Sequence, residues 1–470
     1  MTRSLLLVFL LLIGVGTPAQ AAPTVILGRP THRSMAMNVR SDTRTECRVD
    51  YGASPDDLSQ QSPTFLLDAR VPHELELQDL SPDTRYHYRL ACRSGTGAGA
   101  WGPGDVHAFH TQRAPGATFR FAAQGDSHPE RERNMFSPRL YAQTLDAVAA
   151  DRPDFYFTSG DDFSVDTLRT LTRSTVTERY TLQVPYLARL AHSTPLFLVN
   201  GNHEQAARYL LDGTDNNVAV WAQNARNAHF PQPAPNGFYS GNEEVVPHIG
   251  LLRNYFAWEW GDALFVVIDP YWSSPVVVDG ALGSRSGKAT NRWDVTHGDA
   301  QYAWLKRTLE ESRARWKFVF AHHVMGSGRG GVEVARQFEW GGASANGQWA
   351  FDAQRPGWAL PIHQLFAATG VTIFFQGHDH LFARQELDGV VYQSLPNPAD
   401  DTYTAFNRDA YRSGDVRPNS GYVRVTVSPE DVLVEYVRQF LPEDEAEGQR
   451  SGQVDYAYRL PLGAPRILRP

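Results

Sequence analysis

At 470 residues the chain is too long for one small core, so two or more domains are expected. Its 42% hydrophobic and 20% charged content is that of an ordinary soluble globular protein, with no low-complexity tract and no long block of like charge. A net charge of −8 argues against nucleic acid or an anionic membrane surface as a partner.

Residues 1–22 read as a secretory signal peptide. Arg3 opens a short basic region, Leu5 to Val15 is an apolar run too short to span a bilayer comfortably, and Thr17-Pro18-Ala19-Gln20-Ala21-Ala22 offers a small-residue cleavage site. An uncleaved anchor is the alternative. On the first reading the mature protein is periplasmic or secreted and keeps no stable membrane anchor. Cys47 and Cys92 lie in strand-like stretches of one region, so a disulfide fits an oxidising compartment, and two buried free thiols are the other reading. Neither cysteine has a second Cys or His at zinc-site spacing.

Residues 23–112 show short alternating runs: Ala36-Met37-Asn38-Val39, Cys47-Arg48-Val49-Asp50-Tyr51, His73-Glu74-Leu75-Glu76-Leu77, Tyr86-His87-Tyr88-Arg89-Leu90 and Val106-His107-Ala108-Phe109-His110. Turn residues at Gly52-Ala53-Ser54-Pro55, Ser81-Pro82-Asp83 and Gly102-Pro103-Gly104 separate them. This spacing predicts a β-sandwich. The stretch from Leu77 to Leu90 resembles the pattern before the sixth strand of fibronectin type III domains. The unit carries no catalytic constellation, which suggests a scaffold beside the active site, with substrate recruitment as the alternative. Residues 113–117 read as a linker and 118–470 as a second domain.

From Thr118 strands alternate with helical stretches. Leu140, Tyr141, Leu145 and Val148 predict a helix from Pro138 to Ala150, stopped by Asp151-Arg152-Pro153. Val176 to Ala191 predicts a second, interrupted or kinked at Pro185. The alternation implies parallel strands with right-handed crossovers. Residues 205–250 read as irregular and as a cap over the site. Tyr255 to Trp260 and Ala263 to Ile268 read as a hairpin through Gly261-Asp262, and Asp299 to Arg313 as a helix. Residues 324–356 form a long Gly-rich insertion, of a size that is usually functional or mobile. After His380, runs at 382–387, 390–393, 422–427 and 432–437 suggest a second sheet packed on the first. The expected class is α/β: a layered sandwich of two mixed β-sheets flanked by helices, preceded by the small all-β sandwich.

Five buried-strand patterns each end in polar chemistry. They lead to Asp126-Ser127-His128, to Gly160-Asp161, to Gly201-Asn202-His203-Glu204, to His322-His323 and to Gly377-His378-Asp379-His380. Taken singly each is weak. Asp-x-His occurs by chance, Gly-Asp populates turns, and His378 and His380 could be two surface histidines. Together they supply carboxylate, imidazole and amide oxygen, a set that suits Zn, Fe or Mn. Spacings of 35, 41, 120 and 56 residues between Asp126, Asp161, Asn202, His322 and His378 leave room for whole crossover units. The residues are expected to meet around two metal ions, with Asp161 between them.

This series resembles that of the calcineurin-like metallophosphoesterases, over residues 118 to about 440, and the preceding β-sandwich makes the chain most similar to the purple acid phosphatase branch. The resemblance implies that Asp126, His128, Asp161 and His380 hold the first metal, and that Asp161, Asn202, His322 and His378 hold the second, with His323 as the fallback for His322. Two positions depart from that branch. His128 stands where glycine is usual, and Ser164 stands where a tyrosine ligand is usual, three residues past Asp161. The metal pair is thus expected to follow the wider family rather than an iron–tyrosinate centre.

Two cations about 3.5–4 Å apart clamp a phosphoryl group and make a bound water acidic, so a hydroxide bridging them is the expected nucleophile. His203 is the expected catalytic group, protonating the leaving oxygen or binding a non-bridging one, with a structural histidine as the plain alternative. Glu204 and Asp379 are candidates to orient imidazoles, and Arg329 to reach a substrate phosphate. The sequence therefore points to an exported phosphohydrolase acting on small phosphate monoesters. A phosphodiesterase of the same fold and a non-catalytic metal-containing binding or adhesion protein are the rivals.

Overall fold

The computed structural model describes residues 22–95, 97, 99–204, 207–278, 291–324 and 328–463. All but the last residue of the expected leader lies outside the described residues. Among them, no helix is long and apolar enough to cross a membrane.

The first hundred residues are all β. Thr24–Gly28, Met35–Arg40 and His73–Leu77 form one antiparallel sheet, and Thr45–Gly52, Arg85–Ser94 and Gly102–His110 are the main strands of another. Leu27, Met35, Met37, Val49, Tyr88 and Phe109 fill the space between them. Cys47 lies directly opposite Cys92 in the ladder, and the two are joined in a disulfide with Cα atoms 4.1 Å apart.

Beyond residue 118 two mixed sheets face each other. One runs in the order Leu196–Leu198, Phe155–Thr158, Phe119–Gln124, Gly421–Val427, Asp431–Arg438, Val454–Pro461, with the first three parallel. The other contains the hairpin Phe256–Trp260 and Ala263–Val267, then Trp316–Phe320, Ile373–Gln376, Val390–Ser394 and Phe382–Leu387. Its four strands from Ala263–Val267 through Val390–Ser394 are parallel.

Period-2 alternation explains why these strands are apolar along their whole length. Phe155 and Phe157 point between the sheets, while Tyr156 points to the helices on the outer face. Phe318 and Phe320 likewise point inward and Val319 outward. The seam is aromatic: Phe157 stacks on Phe320 at 3.8 Å, and Phe320 on Phe375 at 4.7 Å. Helices Pro138–Asp151, Arg173–Thr181 and Val184–Ala191 cover the first sheet, and Asp299–Glu311 and Ile362–Thr369 cover the second.

Three expectations need correction. The C-terminal strands do not build a second sheet of their own. Phe382–Leu387 and Val390–Ser394 complete the sheet founded by residues 256–376, while Gly421–Val427 and Asp431–Arg438 return to pair beside Phe119–Gln124. The interruption expected in 176–191 is present, but it falls at residues 182–183 rather than at Pro185, which sits in the first turn of the second helix, where its missing N–H costs nothing. Residues 205–250 are not wholly irregular, because Val218–His229 is a helix capped by the Asn217 side chain. Its buried face includes Gln223, Arg226 and His229, so polar residues hid its period. Arg226 is buried because it donates to the carbonyls of Leu198 and Arg253.

Phe121 touches rings from both sheets, at 5.3 Å from Phe265, 5.4 Å from Phe318 and 5.8 Å from Phe155. Phe121→Ala is expected to lower unfolding stability by about 3–5 kcal/mol, measured by urea denaturation. A loss below about 1 kcal/mol would mean that the seam collapses around the vacated space.

Candidate metal centre

Parallel strands deliver their carboxyl ends to one edge of a sheet, and the loops leaving those ends carry the candidate ligands. Asp126 follows Phe119–Gln124, Asp161 follows Phe155–Thr158, and Asn202 follows Leu196–Leu198. From the facing sheet, His322 follows Trp316–Phe320, and His378 and His380 follow Ile373–Gln376. With His128, all seven are buried, and the structure brings them together around Asp126 and Asp161.

Asp161 Oδ2 lies 3.0 Å from His322 Nε2, 3.7 Å from His203 Nε2 and 4.0 Å from His128 Nε2. Asp126 Oδ2 lies 3.0 Å from His380 Nε2 and 4.0 Å from His128 Nε2. His322 Nε2 is also 3.1 Å from both Asn202 Oδ1 and His378 Nδ1. His323 shares a candidate ligand group with His322 and His378, whereas His322 also shares one with Asp126, Asp161 and His378. The connected histidine of the pair is therefore His322. His323 stacks on His378 at 4.3 Å, with its Nδ1 2.8 Å from the Tyr271 hydroxyl.

These donors fit cations. His322 donates its Nδ1–H to the Ser159 carbonyl at 2.8 Å, so Nε2 is the ring nitrogen left to carry a proton or to meet a cation. It faces carboxylate, amide and imidazole groups, an arrangement that a shared cation would make favourable. The buried Asp126 Oδ2 has no hydrogen-bond partner among the described residues. The field of the carboxylates demands positive charge: burial pushes His322 down, yet Asp161 and Asp126 raise it to about 10. Burial pushes His128 down to about 4, the neutral form a metal ligand needs.

The backbone is bent to reach this arrangement. His128, Asp161, His378 and His380 have φ of 49°, 58°, 67° and 51°. Such left-handed conformations cost a non-glycine residue about 1–3 kcal/mol and persist only where the surroundings enforce them. The preceding glycines make room. A Cβ on Gly160 would lie 2.6 Å from the Gly201 nitrogen, and one on Gly377 would strike Ser159 Oγ and Asp126 Oδ1.

A second ring of side chains holds the first. Glu204 accepts from the backbone N–H groups of Gly201 at 2.6 Å, Asp162 at 2.7 Å and Phe163 at 3.2 Å, tying the Asp161 loop to the Asn202 loop. Asp379 accepts from the Tyr411 hydroxyl at 2.6 Å and the Gly330 N–H at 2.8 Å. Arg329 donates to the His378 carbonyl and lies 3.2 Å from Asp379 Oδ1, so it braces the His378 loop. Both carboxylates thus fix backbone rather than imidazole rings.

The residues that do touch imidazoles were missed in the sequence. His128 Nδ1 is 3.0 Å from Ser164 Oγ and 3.2 Å from Glu130 Oε1. His203 Nδ1 is 2.7 Å from Asp166 Oδ1. Burial pushes Glu130 up, but the bond to and charge of His128 outweigh it and hold the carboxyl down to about 2. Glu130 and Asp166 sit in short helical turns, Pro129–Arg131 and Val165–Thr167, whose spacing carries no signal. Ser164 is the one position where a signal existed, since the tyrosine expected there is replaced by a residue that supports His128.

The sequence profile of the calcineurin-like phosphoesterase family matches residues 119–382, a span that includes every candidate ligand. Among solved structures, PhoD superposes with a TM-score of 0.64 at 16% identity, over 93% of this chain and 90% of its own. The purple acid phosphatase PPD1 from yellow lupin (Lupinus luteus) seeds superposes with a TM-score of 0.56 at 15% identity, over 93% of this chain and 73% of its own. At such identities the likeness is one of fold. No curated protein matches the chain.

Glu204→Ala strands three backbone donors, each at a cost of about 1–3 kcal/mol. The expected outcome is a lower melting temperature together with reduced bound metal, read by elemental mass spectrometry. Wild-type values for both would show that the two loops hold themselves.

Proposed function

The chain belongs to the calcineurin-like phosphoesterase family and is a phosphoric ester hydrolase, and we propose that it is an exported phosphomonoesterase working with two metal ions. The observation that carries this reading is the meeting of seven buried donors, with Asp126 and Asp161 at their centre. Asp126, His128 and His380 would hold one ion and Asn202, His322 and His378 the other, with Asp161 shared. When bound, such a pair supplies charge that stabilises a transferring phosphoryl group and a water acidic enough to attack it, and Zn, Fe or Mn suits the donors.

The chain's own groups do the rest. Asp166 accepts the Nδ1–H of His203 and so turns Nε2 toward the cluster. The proton that reaches the leaving oxygen is held at that Nε2. The Ser159 carbonyl fixes the His322 ring, and Ser164 with Glu130 fixes the His128 ring. The family supports phosphate esters as the substrate class, and the small-molecule monoester is our choice within it. Export is supported by the leader pattern at residues 1–22 and by the Cys47–Cys92 disulfide, a bond of oxidising compartments.

Metal-loaded protein is expected to hydrolyse nitrophenyl phosphate faster than its bis-ester, and a reversed preference would reassign it as a phosphodiesterase. Asp161→Ala is expected to abolish turnover of both. His203→Ala is expected to lower kcat by about 10²–10⁴ with metal content retained, and loss of metal there would remove its assignment as the acid. Bound metals with no turnover of either ester would favour the binding-protein reading.

A further inference from the structure

Arg131 stands apart from the other arginines near the centre. Arg179 donates to the Ser164 carbonyl and Thr167 Oγ1, both at 2.9 Å, and Arg329 is spent on the His378 loop. The Arg131 side chain bonds no carbonyl among the described residues. Its Nε lies 3.3 Å from Glu130 Oε1, and its Nη2 lies 3.5 Å from His203 Nε2. The side chain is 26% exposed. It is therefore aimed by an ion pair at its base while its fork remains at the solvent side of the cluster.

The same imidazole edge faces Asp161 Oδ2 at 3.7 Å. Arg131 is thus one ring nitrogen removed from the atom at the middle of the candidate metal site. With a proton on Nε2 the 3.5 Å approach sets two donors side by side, so an anionic oxygen entering beside them can accept from both. A guanidinium offers such an oxygen paired N–H donors in fixed geometry. Glu130 does not neutralise this corner, because its charge is shared with Arg179 at 3.8 Å as well as with Arg131.

We propose that Arg131 binds a non-bridging oxygen of the substrate's phosphate and selects the dianionic monoester over the monoanionic diester. The inference rests on the phosphomonoesterase reading of the same site and names the residue that would set its specificity. In a diester one of the charged oxygens is replaced by a second ester oxygen, a poor acceptor, so the fork loses its partner.

The test compares wild type, Arg131→Ala and Arg131→Lys as metal-loaded full chains. KM and kcat are measured for nitrophenyl phosphate and its bis-ester, with calorimetric affinity for inorganic phosphate, metal content and melting temperature. Arg131→Ala is expected to raise the monoester KM and weaken inorganic phosphate about ten- to hundredfold, with metal content unchanged and the bis-ester KM far less affected. Arg131→Lys should recover part of the loss, since it restores the charge without the fork. Unchanged phosphate affinity, equal losses on both esters, or lost metal in both variants would each overturn the proposal. If wild type turns over no monoester, the phosphomonoesterase reading fails, while the phosphate calorimetry still decides whether Arg131 holds the anion.

Discussion

The structure depends on the face-to-face packing of two sheets through phenylalanine. Phe121, Phe157, Phe320 and Phe375 come from four strands that are distant in sequence, and their rings lock at separations from 3.8 Å to 6.2 Å. Because the strands beneath those rings end at the same edge, locking the rings also aligns the loops that follow. Asp161 lies four residues past Phe157, His322 two past Phe320 and His378 three past Phe375. The aromatic seam is in this sense the first determinant of the chemistry.

What the seam aligns, the backbone then distorts. Four site residues in left-handed conformation, together with buried polar groups turned toward one another, concentrate strain at this corner of an otherwise well-packed protein. The energy is held there by Glu204 and Asp379, each collecting several donors from two loops. A bound cation would relieve the electrostatic part of the conflict, which would link affinity for metal to local stability.

Much of this was legible in the sequence. Strands that are apolar on both faces announce themselves, and the polar residue after each strand marks an edge. Phe155-Tyr156-Phe157 leading to Gly160-Asp161 is the plainest instance. Pairing across hundreds of residues was not legible. Nothing in Gly421–Val427 says that it lies beside Phe119–Gln124 rather than beside Val390–Ser394, because all three read as buried strand. The helix Val218–His229 was hidden for a different reason: Arg226 and Gln223 are buried by carbonyls from other elements, which hydropathy cannot anticipate. Ser164, Glu130, Asp166 and Arg131 escaped because their roles depend on where a ring points, and ring orientation has no sequence spacing.

The N-terminal sandwich is fastened to the back of this machinery. Tyr88 donates to the His192 carbonyl at 2.6 Å, Asn38 to the Ala228 carbonyl at 2.7 Å, and Tyr239 returns a bond to the Pro30 carbonyl at 2.5 Å. At the junction, Arg113 grips Asp154 at 2.8 Å and 2.9 Å, and Trp260 of the opposite sheet donates to the same carboxylate at 3.1 Å. The bonds from Tyr88 and Asn38 land on the segment just before the Leu196–Leu198 strand and on the last turn of the Val218–His229 helix, which flank the loop of Asn202. A protease that nicks the chain near residue 116 would thus release no freely diffusing module. The severed halves would stay docked, and a truncated enzyme beginning at residue 118 would carry open carbonyls at His192 and Ala228.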